Sequence, residues 1–206
     1  MKFPPIPILS DLDGTLIDST ASVIDAFRWW AHLNGLPDDT ANKIPFGRSS
    51  ADAAAVLAPE LDSAEAGKLL DQRQAENTDG VIALEGAHAL LSNHHPLGIV
   101  TSCTQPLAQA RLAAAGLPQP EVLVTPECWS KGKPDPEPYL RGAELLGVDP
   151  KECIVLEDAP PGVESGVRAG MRVIALLTTH SADQLSQAEF HIQSLTELPN
   201  LLRSWT

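Results

Sequence analysis

Ile6-Pro7-Ile8-Leu9-Ser10-Asp11-Leu12-Asp13-Gly14-Thr15-Leu16 decides the reading of this chain. A short apolar run ends in two carboxylates two residues apart, and a glycine follows. Residues 6–9 read as a strand, and positions i and i+2 share a strand face. A sharp turn at Gly14, which tolerates backbone angles closed to other residues, splays Asp11 and Asp13 around one ligand. Two carboxylates so placed suit a hard cation and a phosphate, with one aspartate left to attack. Taken alone, the pair equally describes a turn with solvated or capping aspartates.

The pattern around this stretch supplies its context. Residues 18–35 read as a helix, because Val23, Ile24, Phe27, Trp30 and Ala31 recur at helical spacing and Gly35 closes the run. Ser49-Ser50 caps a second helix over 51–57, and 63–77 reads as a third. Beyond Gly86 the character changes. Helices over 87–92, 106–115, 136–146 and 161–169 alternate with apolar strands over 97–101, 122–124, 153–156 and 173–177. Strands alternating with helices of this length imply right-handed βαβ units and a parallel sheet. The expected fold is therefore an α/β, Rossmann-like core with a central parallel sheet, made of residues 1–17 and 84–206. A small helical cap, residues 18–83, is inserted after the first strand.

In open parallel sheets, ligands bind outside the carboxyl ends of the strands. The polar residues that follow the expected strands are Asp11 and Asp13, Thr101 and Ser102, Lys131 and Lys133, and Glu157 and Asp158. Four strand ends can thus bring two aspartates, two hydroxyls, an ammonium and an acidic pair to one pocket.

Composition narrows the function. The chain has 206 residues, 43% of them hydrophobic and 20% charged, with a formal net charge of -13. A folded domain is expected. The charge argues against nucleic acid or an anionic membrane as a partner, since both need a basic face. It permits an anionic substrate, because a bound cation and a lysine reverse the local field. Cys103, Cys128 and Cys153 are widely spaced and read as free thiols in a reducing compartment, with Cys103 as a small packing residue. Residues 1–5 lack the apolar core of a signal peptide, and no apolar run is long enough to span a membrane, so a cytoplasmic location is expected.

These residues resemble the haloacid dehalogenase-like phosphohydrolases. The family's four motifs occur in its order: Asp11-Leu12-Asp13-Gly14-Thr15; Ile99-Val100-Thr101-Ser102; Lys133-Pro134; and Leu156-Glu157-Asp158-Ala159-Pro160-Pro161-Gly162-Val163. A lone pair of aspartates is weak evidence, whereas the ordered set is strong. Within the family the chain looks most like bacterial sugar and hexitol phosphatases and their 2-deoxyglucose-6-phosphate and glycerol-phosphate relatives. Ser10 stands where the family usually has Phe, and Ser165 where Ala is usual.

The resemblance implies roles. Asp11 is the nucleophile that forms an aspartyl-phosphate, and Asp13 protonates the leaving alkoxide and then deprotonates water. Asp11, the Asp13 backbone carbonyl and Asp158 hold Mg²⁺, with Glu157 acting through a water. Lys133 pairs with the transferred phosphoryl group. Thr101 or Ser102 offers a hydroxyl to phosphate, with Ser102 preferred. Arg48, in the cap, contacts the substrate or forms a surface salt bridge. One of Trp29 and Trp30 packs within the cap, and the other is a candidate for the substrate cleft. Glu76 and Asp79 read as a solvated hinge.

The expected activity is Mg²⁺-dependent hydrolysis of a small phosphorylated sugar or polyol by a monomer or weak dimer. One alternative is phosphoryl transfer of the β-phosphoglucomutase kind. Those mutases typically carry a histidine on the first cap helix, and residues 18–24 contain none. A non-catalytic phosphate-binding module is the other alternative, although it has no need for every catalytic group.

Overall fold

The computed structural model describes residues 6–204. In chain order it contains β1 (Ile8–Ser10), β2 (Ile17–Asp18), α1 (Thr20–Leu33), α2 (Ser50–Leu57), α3 (Ser63–Glu76), β3 (Ile82–Ala83), α4 (Ala87–Asn93) and β4 (Leu97–Val100). There follow α5 (Gln105–Ala114), β5 (Val122–Val124), α6 (Glu137–Leu146), β6 (Ile154–Glu157), α7 (Pro160–Arg168), β7 (Arg172–Leu176), β8 (Phe190–Ile192) and α8 (Leu198–Arg203).

Six of the strands form one parallel sheet in the order β5-β4-β1-β6-β7-β8. Ile8 and Leu9, both fully buried, explain why this sheet needs helices on both faces. Adjacent strand residues point to opposite sides. Ile8 joins Ile99, Leu156 and Ile174 in a cluster closed by Leu90, Leu107 and Leu198 from α4, α5 and α8. Leu9 joins Val100, Val155 and Val173 on the other face, under Tyr139, Ala143 and Val163 from α6 and α7. The strands therefore read as apolar runs rather than alternating ones, as parallel sheets covered on both faces do.

The chain builds outward from β1 in one direction through β4 and β5, then returns and builds the other way through β6, β7 and β8. The carboxyl end of β1 is the switch point, flanked by β4 and β6. A crevice opens where strand order reverses in this way, and it is the usual ligand site of such sheets. Asp11 lies immediately beyond it.

Helices α1, α2 and α3 form a cap with its own apolar cluster, which includes Phe27, Trp30, Ala53, Ala54 and Leu70. Trp30 is buried and meets Phe27 edge-on, with ring centroids 6.0 Å apart. Local signals set the cap helices. The Ser49 hydroxyl accepts from the Asp52 N–H at the start of α2, and the Asp62 carboxylate accepts from the Ala64 and Glu65 N–H groups at the start of α3. Such caps satisfy backbone donors that have no partner within the helix.

Two features depart from the sequence reading. Asp18 is not helical: Ile17–Asp18 pairs antiparallel with Ile82–Ala83, so a two-stranded ribbon joins the cap to the core. A two-residue strand is too short to display a period, which is why the pattern hid it. The β8 strand and α8 also escaped the pattern. β8 is three residues with a polar centre, His191, and gains its identity only by pairing with β7. Among the described residues, no helix is long and apolar enough to cross a membrane.

Candidate active site

Asp11, Glu157 and Asp158 bring carboxylate oxygens within 4.8 Å of one another, all buried. β1 delivers the first, and the end of β6 the other two. Gly14 makes the meeting possible. Its φ is +81°, and a Cβ there would lie 2.1 Å from an Asp158 carboxylate oxygen. The backbone must therefore turn in the left-handed region with no side chain in the way.

Lys133, from the loop between β5 and α6, enters this cluster. Its Nζ lies 2.6 Å from Asp11 Oδ1 and 2.7 Å from Glu157 Oε1, and donates to the Val100 carbonyl at 3.1 Å. The ammonium also lies 5.1 Å from the centroid of the Tyr139 ring. The Tyr139 hydroxyl donates to Glu157 Oε1 at 2.9 Å, and Glu157 Oε2 accepts the backbone N–H groups of Asp158 and Ala159. Both Glu157 oxygens are thus engaged, and Glu157 aims Lys133 at Asp11. The approach needs Gly162, where a Cβ would fall 1.7 Å from Glu157 Oε1. Ser165, the unusual residue of α7, donates to the Asp135 carbonyl at 2.6 Å and anchors the lysine loop.

The electrostatics follow from burial. Three carboxylates face one ammonium, so full ionisation leaves a deficit of two positive charges. Burial pushes Asp158 up to about 8, and Glu157 adds to the rise. Burial likewise holds Asp11 well above its ordinary value despite the pull of Lys133. Burial by itself would lower Lys133, yet the adjacent Asp11 and Glu157 raise it overall, so the amine stays charged. A divalent cation removes that deficit, and an all-oxygen donor set fits a hard one. Two hydroxyls already touch Asp158: Thr15 donates to Oδ1 at 3.2 Å, and Thr179 donates to Oδ2.

Asp13 stands apart from this cluster, with its side chain 24% exposed. The Ser19 hydroxyl donates to its Oδ1 at 2.6 Å. Its Oδ2 accepts from Cys103 Sγ at 2.9 Å and from a guanidinium nitrogen of Arg111 at 2.7 Å. Cys103 is therefore a hydrogen-bonding neighbour of Asp13 as well as a packing residue, and burial raises its thiol well above the ordinary range.

A cleft of about 710 Å³, open to solvent, lies between this site and the cap. Asp11, Asp13, Thr101, Ser102, Arg48 and Asp158 all line it. Thr101 is buried, and its hydroxyl accepts from the Cys103 N–H at 3.1 Å; Ser102 is only partly buried. Arg48 is exposed at the mouth and forms no ion pair among the described residues. Trp29 turns away from the cleft and packs on Arg73 instead, with its ring centroid 5.6 Å from the guanidinium carbon. Phe27 takes the cleft-facing place. Glu76, Asp79 and Lys131 are exposed and do not line the cleft.

Arg111, Ser19, Tyr139 and Thr179 were missed by the sequence reading. Arg111 carried a signal: it lies four residues beyond Leu107 on the inward face of α5, where a charge needs a partner. Thr179 carried none, because a threonine in a polar loop is unremarkable until β7 delivers it to Asp158.

Comparison with known proteins finds clear relatives of this chain. Residues 8–176 match a family model described as haloacid dehalogenase-like hydrolase. The chain is 41% identical to hexitol phosphatase A of Escherichia coli (strain K12), over 92% of this chain and 91% of that protein. It is 37% identical to validoxylamine A 7'-phosphate phosphatase of Streptomyces hygroscopicus subsp. limoneus, over 92% of this chain and 94% of that one. A solved hydrolase from Pseudomonas syringae superposes with a TM-score of 0.82 at 27% identity, covering 98% of this chain and 99% of that one.

Proposed function

The chain belongs to the haloacid dehalogenase-like hydrolase family, and from that premise we propose that it is a Mg²⁺-dependent phosphatase. Its substrates are small sugar or polyol phosphates, hydrolysed through an aspartyl-phosphate. The observation that carries this reading is the Lys133 ammonium, shared between Asp11 and Glu157 inside a carboxylate cluster at the switch point of the sheet. The hexitol and validoxylamine phosphate specificities named for two relatives support the substrate class.

Asp11 and Asp158 carboxylates, with the Asp13 backbone carbonyl, are the groups that would hold Mg²⁺. Bound there, the ion would neutralise charge on the phosphoryl oxygens and on Asp11. Lys133 holds Asp11 Oδ1, so the other oxygen is the one that attacks phosphorus. As the new Asp11–phosphorus bond forms, the bond to the leaving oxygen breaks and Asp13 hands that oxygen a proton. Water then adds to phosphorus, returns a proton to Asp13 and releases Asp11. Lys133 offsets the charge of the transferred group throughout. Ser102 and Thr101 are the hydroxyls for phosphate oxygens; Thr101 Oγ1 accepts from the Cys103 N–H and so keeps its own proton to donate. Glu157 aims Lys133, and the cap residues Arg48 and Phe27 face the leaving group.

A phosphate-release screen over sugar and polyol phosphates, with and without Mg²⁺, tests the reading. Turnover should require the metal and vanish in Asp11→Asn. Full activity of Asp11→Asn, or no release from any phosphomonoester, would sink it. Conversion of β-glucose-1-phosphate to glucose-6-phosphate without release would favour phosphoryl transfer instead.

A further inference from the structure

Arg111 is 3% exposed, yet it belongs neither to the carboxylate cluster nor to an apolar one. It sits on α5 and reaches in two directions. One terminal nitrogen meets Asp13 Oδ2 at 2.7 Å and Cys103 Sγ at 2.7 Å. The other donates to the side-chain carbonyl of Gln74 on the cap helix α3. Gln74 is itself buried, and its amide donates to the Leu70 carbonyl at 3.1 Å and to the Ser50 hydroxyl at 3.3 Å. One turn earlier on α3, Asp71 lies beside Ser50 and Thr104, the residue that precedes α5, and burial raises its carboxyl above the ordinary value. The cap is therefore fastened to α5 by polar groups, at the place where α5 also holds Asp13.

This arrangement is an expensive way to pack two helices. An apolar pair fills such a contact without desolvating a guanidinium, and buried ion pairs are weak stabilisers by comparison. Among the described residues, Arg111 Nε is buried with no hydrogen-bond partner, which adds to the cost. What the arginine supplies instead is geometry. Asp13 is gripped on Oδ1 by Ser19, at the root of the cap, and on Oδ2 by Arg111, whose far end rests on the cap. A carboxylate that gives up a proton and later recovers it at the same place must be held there through both half-reactions.

Resting on the phosphatase reading above, we propose that Arg111 is a positioning residue that couples docking of the cap to the orientation of Asp13. With the cap seated, Gln74 fixes the guanidinium and the guanidinium fixes Asp13. With the cap lifted, Gln74 leaves, Arg111 loses its second anchor and Asp13 is released. The proton donor is then set only while a leaving group is enclosed against the cap.

The test uses two substrates that differ in their need for a proton. A polyol phosphate such as glycerol phosphate leaves as an alkoxide and needs one, whereas p-nitrophenyl phosphate leaves as a stable phenolate. For Arg111→Met, kcat/KM on the polyol phosphate should fall about 10²-fold, the typical size of a general-acid contribution, with a loss below about tenfold on p-nitrophenyl phosphate. Gln74→Leu, which spares the Arg111–Asp13 pair, should shift the same ratio in the same direction by about tenfold. The double variant should fall no further than Arg111→Met. Parallel losses on both substrates, or no loss, in folded variants would overturn the coupling. If Arg111→Met does not fold, Gln74→Leu decides by the same ratio. A wild-type protein inert on both substrates would instead overturn the phosphatase reading, and the coupling with it.

Discussion

Removing the divalent cation should invert the ordinary pH dependence of stability, and Asp158 sets the size of the effect. Burial and Glu157 push its carboxyl up to about 8 in the folded, metal-free protein, against an ordinary value of 3.8. The folded state therefore binds the proton more tightly than the unfolded chain. Stability from this group is fully present below about pH 4 and is lost as pH rises through about 8, because the folded state must then carry an unpaired buried charge. At about 1.4 kcal/mol per pH unit, the upper limit from Asp158 is about 6 kcal/mol over the whole interval and about 4 kcal/mol between pH 5 and pH 8. Burial raises Asp11 as well, which acts in the same direction, so a loss of about 3 kcal/mol or more across that interval is expected. Urea unfolding in chelator at pH 5 and pH 8 measures it. Asp158→Asn removes the titrating group, so the variant should lose less stability across that interval and exceed the wild type at pH 8. Mg²⁺ should restore the wild type more at pH 8 than at pH 5, and restore the variant little. Metal-free wild type that is as stable at pH 8 as at pH 5, or an Asn variant with an unchanged slope, would refute the reasoning.

Other outcomes follow from the same geometry. Lys133→Met leaves three buried carboxylates with no cation and should cost about 3–5 kcal/mol, the usual effect of removing one partner of a buried pair; urea midpoints check it, and phosphate release should fall about 10²-fold or more. Gly162→Ala puts a methyl 1.7 Å from Glu157 Oε1, so it should displace Glu157 from Lys133 and lower both stability, by about 1–3 kcal/mol, and kcat. Trp30→Ala empties the centre of the cap cluster and should destabilise by about 3–5 kcal/mol, with the α1–α3 amides losing hydrogen-exchange protection before those of the sheet.

The βαβ alternation was legible because each element is repeated enough to show a period. The strands before Asp11, Thr101 and Asp158 carry apolar runs, and helices α5, α6 and α7 are followed by Gly116, Gly147 and Gly170. The ribbon formed by Ile17–Asp18 and Ile82–Ala83 was not legible, because two residues define a strand only through their partners, which lie more than sixty positions away. Glu157 shows the same limit at the site. Its place beside Asp158 reads as metal binding, and only the fold reveals Lys133 and Tyr139 on one oxygen and two backbone amides on the other.

The sequence by itself determined the α/β core and the helical segment after its first strand, and it supplied the groups proposed for chemistry: Asp11, Asp13, Thr101, Ser102, Lys133, Glu157 and Asp158. Those follow from local periodicity and from polar residues at strand ends, which are properties of short stretches of chain. Tertiary structure alone decided the partnerships. Lys133 reaches Asp11 across 122 positions, and Arg111 joins Asp13 to Gln74 between core and cap. Such contacts depend on which strand ends the sheet order makes neighbours and on where the cap docks, and charge strength depends on the burial that results. No local pattern encodes either quantity.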